Sequence, residues 1–426
     1  MARGTIALSM RRLIPLIWSA TLLAACGFGA QPTPTPEPVT LRYVTFAGLD
    51  AAEQALIDAF HTSHPSVTVA TETYNRAPEE YLTSTPPPDL MLITPGEFLD
   101  GAIDRNALVD LSDLWQQAGV DAQVAGALAA LSERGGKQYY VPTGYNWNGI
   151  YYNKQIFEQY GIEPPRTWDE FTQLAETLWL EGITPFAISG GDPFMGTLWL
   201  DYLNLRLNGP AFHKEFLAGE VPYDDPRIRT IFELWASLVE KGYFLQTSAS
   251  MGIDDALAAV APSAASISPQ AAMVLSGPAF LGALAPAQRE QLGFFPFPIL
   301  DTAQPPAEVV MAIGYMIPSA APHRDEALAF AGVLASDEGR DLMAQDIAGS
   351  GLYAPFFGDP DALPDSVRQG VDLVQSAQAL TAPYYMSVPA RMWPALIAMQ
   401  RRLLTEPGSG QVFDLDGLLA TLETAR

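Results

Sequence analysis

The 426-residue chain carries 48 acidic against 23 basic side chains, a formal net charge of −25, with 48% hydrophobic and 10% aromatic residues and one cysteine. Such a surface repels nucleic acid and anionic lipid, and the apolar share excludes a disordered polymer. A lone thiol rules out disulfides and a thiolate metal site as sources of stability, and a chain this long exceeds one core, so two domains are expected.

At the N-terminus, Arg3, Arg11 and Arg12 precede the uncharged run Leu13–Leu23, and Ala24 and Ala25 lead to Cys26. Charge, a short apolar stretch and small residues in that order predict a secretory signal over residues 1–25. The run is eleven residues long, too short for the roughly 20 that cross a bilayer as a helix. Leu23-Ala24-Ala25-Cys26 resembles a bacterial lipobox, which implies cleavage before Cys26 and a diacylglycerol on its sulfur. "QPTPTPEP" then gives an extended, polyproline-like spacer, so residues 26–39 read as a tether.

The folded part begins with "VTLRYVTFAG", an alternating strand, followed by "AAEQALIDAFHTSHP", a helix stopped before Pro65. "SVTVATETY" and the wholly apolar "PDLMLIT" are further strands, and strand–helix–strand with a buried run implies a parallel sheet under helices. "NALVDLSDLW" reads as helical, and "GKQYYVPTGYNWNGIYYNKQIFEQYG" as extended chain entering a helix. In "GIEPPRTWDEFTQLAETLW", Thr167 and Glu170 have capping-box spacing, and Phe171, Leu174, Ala175 and Leu178 share one face. "GITPFAIS" is a buried strand, "DDPRIRTIFELWASLVEKGYF" an amphipathic helix, and "LGFFPFPIL" a strand. Ala256–Gln288 has no charged residue, but Pro262, Pro269, Pro278 and Pro286 break any spanning helix, so short elements against a core are expected. "EVVMAIGYMIPSAAPHRDEALAFAGVLASDEGRDLMAQ" is extended and then helical, and the tail from about Pro360 follows a helical pattern.

No GxGxxG, P-loop, GxSxG, HExxH or CxxC occurs, so the sequence points to no cofactor and no catalytic residue. The histidines are His61, His64, His213 and His323; the first two share a helix side but lack a third ligand, and a helix end is the expected setting rather than a metal. The many carboxylates make any glycosidase-like pair uninformative without geometry.

Taken as a series, "LVDLSDLW", "GKQYYVPTG", "GIYYNKQIFEQYGIEPPRTWDEFTQLAETL", "GITPFAIS", "FFPFP" and "HRDEALAFAGVLASDEGR" resemble the extracellular solute-binding proteins, family 1, of bacterial ABC importers, which include a maltose-binding member. The resemblance implies an α/β, two-lobed, periplasmic-binding-protein-like fold of type II. Each lobe is then a mostly parallel sheet flanked by helices, joined to the other by a multi-segment hinge. It places residues 40–144 and 306–348 in one lobe and 149–300 and 352–426 in the other, with crossings near "TGYNWN", "PILDTAQ" and "AGSGLY".

A sugar offers hydroxyls at its edge and apolar C–H faces, so its binder needs aromatic plates beside carboxylates, amides and backbone groups. Aromatics next to Gly, Pro, Asp or Asn in loops are the trace of such a site. They are Phe46, then Tyr145, Asn146 and Trp147 of "GYNWN", then Asp192, Phe194 and Trp199 of "GGDPFMGTLW". Gly277 and Phe280 of "SGPAF", Tyr315 and Tyr353 complete the set. The resemblance matches Asn146, Asp192, Phe194 and Trp393 to sugar-contacting positions of the maltose-binding member, with Glu97 beside another. It departs at Ile93, Gly96 and Ala279, which puts maltodextrin itself in question. The implied protein is a monomeric, lipid-anchored carbohydrate receptor on the outer face of the cytoplasmic membrane, delivering ligand to permease subunits and binding no nucleic acid. A polyamine, peptide or phosphate-ester ligand, a lipid-anchored glycosidase and a sensory role remain open on the residues alone.

Overall fold

A computed structural model describes residues 37–45, 51–94, 96–120, 124, 126–263, 268–350, 354–355, 365–410 and 412–426. The expected signal, Cys26 and most of the spacer lie outside these residues, as do Phe46 and Tyr353; the backbone of Glu97 is described but not its side chain. Among the described residues no helix is long and apolar enough to cross a membrane.

β1 (Val39–Thr45), β2 (Val67–Thr73) and β3 (Leu90–Ile93) form a parallel set with β1 in the middle. The short hairpin β4 (Glu133–Arg134) and β5 (Lys137–Gln138) precedes β6 (Val141–Trp147), which belongs to the same sheet as β1–β3. β7 (Gly149–Asn153), β8 (Thr184–Ala187), β9 (Ala271–Ser276) and β10 (Leu292–Phe295) make a second sheet in the order β10-β7-β9-β8. β11 (Ala307–Met316), β12 (Ala354–Pro355) and β13 (Ala379–Thr381) return to the first sheet, whose order is β12-β6-β11-β3-β1-β2 with β13 beside β11.

The sheets are mixed rather than mostly parallel. β11 runs antiparallel to both β3 and β6, and β7 antiparallel to both β9 and β10. Physically, each strand that arrives from the other sheet enters from the opposite end and so reverses direction.

Alternation sorts the side chains into layers. Leu41, Tyr43, Leu90 and Leu92 go to one core, while Val44, Met91 and Ile93 go to another on the opposite face. On β11, Val310 and Ala312 join the first of these cores, and Met311 and Ile313 are half-exposed on the other side. A bulge between Ile313 and Gly314 then shifts the phase by one residue, so Tyr315 and Ile317 rejoin the core that Val310 and Ala312 fill. Each buried Leu, Phe or Val side chain contributes about 1.5–3 kcal/mol of transfer free energy, which fixes the register.

Helices after residue 160 follow their sequence signals closely. Thr167 Oγ1 accepts from the Glu170 N–H at 3.3 Å and Glu170 Oε2 accepts from the Thr167 N–H at 3.0 Å, opening the helix Trp168–Leu180 with Phe171, Leu174, Ala175 and Leu178 buried. Asp225 caps Pro226–Glu240 in the same way, accepting from the Arg227 N–H at 2.8 Å. The helix Phe194–Leu217 kinks at Gly209, whose φ of 78° interrupts it just before Pro210. "NALVDLSDLW" yields only the short helix Ser112–Gln117, because Val109 and Leu111 spend their N–H groups on Ile317 and Gln138 carbonyls across the sheet. The uncharged stretch after Ala256 breaks into a helix end, β9 and two short helices, Pro278–Leu281 and Pro286–Arg289.

The chain passes between sheets at sharply defined points. Only Asn148 separates β6 from β7, and residues 296–306 separate β10 from β11. The third passage lies later than "AGSGLY". β12 pairs with β6, and Val367, Val371 and Val374 of the helix Asp365–Ser376 pack in the first-sheet core. The chain reaches the second-sheet core at β13, where Ala379 packs against it, and enters it with Tyr384. Residues 354–355 and 365–376 therefore side with the first sheet, although the expected division placed 352–426 with the second.

Candidate functional site

The first sheet's half-exposed face and the segment after β13 enclose a cleft of about 870 Å³. From the first side come Ile93 and Thr94 at the end of β3, Met311 and Ile313 of β11, Phe98 and Arg105 around the helix Glu97–Asp104, and Glu79 of the helix Pro78–Leu82. From the second come Phe194, Tyr385, Met386, Val388 and Trp393. At its narrowest, Gly96 lies against the Met386 carbonyl, close enough that a Cβ there would sit 2.8 Å from the oxygen.

Three rings form the second wall. Phe194 meets Tyr385 edge-on at 5.1 Å and Trp393 at 5.6 Å, with interplanar angles of 83° and 73°. Trp393 donates its indole N–H to the Tyr385 carbonyl at 3.4 Å, which fixes that ring. Phe194 begins its helix because Asp192 Oδ1 accepts from the Phe194 and Met195 N–H groups at 2.8 and 3.4 Å. Burial pushes the Asp192 carboxyl above its usual range, partly offset by those hydrogen bonds.

Of the residues singled out in the sequence, Phe194 and Trp393 line this cleft, and Asp192 holds Phe194 in place. Several others sit elsewhere. Trp199 is buried among Phe186, Trp235, Phe244 and Phe297 in the second-sheet core. Trp147 is buried with its ring against Gly370, where a Cβ would come within 1.9 Å of it; Tyr145 shares that core. Tyr315 is buried and donates its hydroxyl to Glu53 Oε1 at 2.9 Å, alongside Tyr43, which bonds the same carboxylate. Asn146 is buried on β6, opposite Met311. Phe280 packs against the cluster around Met251, and Gly277 ends β9 against Asn148. Tyr145, Trp147 and Tyr315 have no face left for a ligand, because strand alternation turns them into the core, and Trp199 is turned inward by its helix.

Tyr385, Met386, Met311, Ile313 and Arg105 carry no local motif, and their shared cleft arises only from the pairing of β11 and the passage after β13. The histidines disperse: His61 Nδ1 lies 3.0 Å from the Val67 carbonyl, His64 stacks on Phe60, and His323 pairs with Asp89. Among the described residues no group of three or more His, Cys, Asp or Glu could hold a metal.

Comparison with known proteins agrees with this architecture. A family model described as bacterial extracellular solute-binding protein matches residues 44–341. An uncharacterized ABC transporter extracellular-binding protein of Pyrococcus horikoshii is 24% identical over 52% of this chain and 54% of its own length. The multiple sugar-binding protein of Streptococcus mutans is 29% identical over 40% of this chain and 41% of its own. The chain thus spans about half the length of these curated relatives. Among solved structures, the bacterial solute receptor AcbH, described as preferring β-D-galactopyranose exclusively, superposes with a TM-score of 0.77 at 21% identity, covering 91% of this chain and 96% of its own. A chitin oligosaccharide binding protein gives 0.72 at 19% identity, covering 91% and 98%.

Proposed function

This chain belongs to the bacterial extracellular solute-binding proteins, and from that premise we propose that it binds a carbohydrate in the cleft and hands it to an ABC permease. The three-ring wall of Phe194, Tyr385 and Trp393 is the observation that carries this reading. Rings present apolar faces that match the C–H faces of a pyranose, while Glu79, Thr94 and Arg105 supply polar groups for hydroxyls. Relatives named for sugar binding support the same class.

The mechanism is non-covalent. Ligand bridges the two walls, stabilises the arrangement that encloses it, and shifts the population only by the difference in its affinity for the two forms. A polyamine would call for several cleft carboxylates; among the described lining residues Glu79 is the single one, balanced by Arg105. Cys26 tethers the receptor by lipid outside the cytoplasmic membrane, with residues 26–39 as spacer and residues 1–25 as signal.

Isothermal titration against a panel of mono- and oligosaccharides tests the ligand class: at least one member binds with saturable heat, and silence from folded protein across the panel overturns the reading. Expressed in a bacterial host, the Cys26→Ser protein is expected to leave the membrane fraction for the soluble one. Retention of the variant in membranes removes the anchor from the proposal.

A further inference from the structure

The two walls of the cleft differ in chemistry, and the difference specifies the ligand further. Every charged side chain in the described lining, Glu79 and Arg105, comes from the first side, together with the Thr94 hydroxyl. The second side offers rings, a thioether and small apolar residues. Phe194 has no polar atom, Trp393 has already committed its N–H to the Tyr385 carbonyl, and the Tyr385 hydroxyl is turned to the Met311 sulfur at 4.0 Å. Met386 from the second side and Met311 from the first both line the space.

We propose that the preferred ligand is a glycoside carrying an aromatic substituent, with its sugar ring toward Glu79, Thr94 and Arg105 and its aryl group beside Phe194, Met311 and Met386. The inference rests on the carbohydrate reading above and narrows it. An unsubstituted oligosaccharide filling the cleft presents hydroxyls to the ring-and-thioether side, and each one buried without a partner loses its hydration uncompensated. An aryl group avoids that cost. Its ring continues the edge-to-face arrangement that Phe194 already makes with two neighbours. Methionine adapts its flexible thioether to a flat ring, and sulfur–aromatic contacts are favourable. A cleft of about 870 Å³ has room for both halves of such a ligand.

The test is calorimetric, on the folded wild-type receptor and on Met386→Asn, a half-exposed position whose substitution leaves the cores intact. D-galactose and D-glucose are compared with their phenyl β-glycosides and with lactose and cellobiose. The proposal expects each phenyl glycoside that binds to do so about tenfold more tightly than its parent sugar and the matching disaccharide, and Met386→Asn to bring the affinity ratio of phenyl glycoside to parent sugar close to one, whatever it does to both; an unchanged ratio overturns the assignment of the aryl group to Met386. A disaccharide that binds as tightly as the phenyl glycoside overturns the aromatic-substituent proposal and leaves the carbohydrate reading standing. Phenol binding as tightly as the glycosides, or an absence of binding by every sugar and glycoside, overturns both.

Discussion

Trp199 and Trp393 follow similar loop-like sequence, yet one is packed on four aromatic neighbours and the other lines the cleft. Their substitutions should therefore separate stability from binding. Trp199→Ala removes a buried indole and is expected to cost about 3–5 kcal/mol in urea unfolding. Phe194→Ala and Trp393→Ala should leave most of that stability and weaken ligand binding by about 1–2 kcal/mol, read by titration. His213 is a different case. Fully buried, it contacts Asn204 through Nδ1 at 3.0 Å and faces Asp201 at 3.4 Å, and burial lowers its pKa from 6.5 to about 3. The unfolded chain takes up a proton there below about 6.5 and the folded chain resists until about 3. The stability that the neutral imidazole contributes is thus complete above that window and is lost as pH falls through it. Asp201 has the opposite sign, because burial raises its carboxyl and the folded chain keeps a proton that the unfolded chain has released. Comparing His213→Gln with wild type isolates the histidine: the stability gap between them should shrink from pH 7 to pH 4, and a constant gap refutes the assignment.

At the scale of elements, a buried ion pair joins a helix to a sheet crossing. Arg206, within Phe194–Leu217, pairs with Glu308 at 2.7 Å and donates to the carbonyls of Phe297, early in the passage from β10 to β11, and of Ala307, just after it. Nearby, Tyr202 of the same helix donates to the Asn148 carbonyl at 2.6 Å, and Asn148 Nδ2 donates to the Val309 carbonyl at 3.0 Å. Two crossings are therefore held by one helix. Burial raises the Glu308 carboxyl and the guanidinium opposes that shift. Glu308→Leu leaves Arg206 buried and uncompensated, at an expected cost of about 3–5 kcal/mol, whereas Arg206→Met with Glu308→Leu should recover most of it. Chemical unfolding of the single and double variants decides this. The bulge in β11 is equally specific: it lets one strand send Met311 and Ile313 to the cleft and Tyr315 to the core.

For the whole molecule, binding depends on how closely the two walls meet, and Gly96 against Met386 marks the point of contact. Gly96→Ala pushes a methyl toward that carbonyl, so it should weaken the enclosed form and lower ligand affinity with little change in thermal stability; unchanged affinity refutes the contact's role. The amino-acid order by itself determined where the elements begin, because caps, prolines and alternation are local signals; the Thr167–Glu170 box and the apolar faces of its helix are examples. It also determined the family, through a collinear series of short blocks, and it singled out Phe194 and Trp393, which lie far apart in the chain and meet in space. Burial was illegible for Trp147 and Tyr315, since a ring beside Gly or Asn reads alike in a strand and in a loop. Only the tertiary structure decided which rings face the cleft, that the sheets are mixed, and that residues 354–355 and 365–376 side with the first sheet. Those outcomes rest on pairing between strands distant in sequence, and no local pattern encodes which partner a strand will meet.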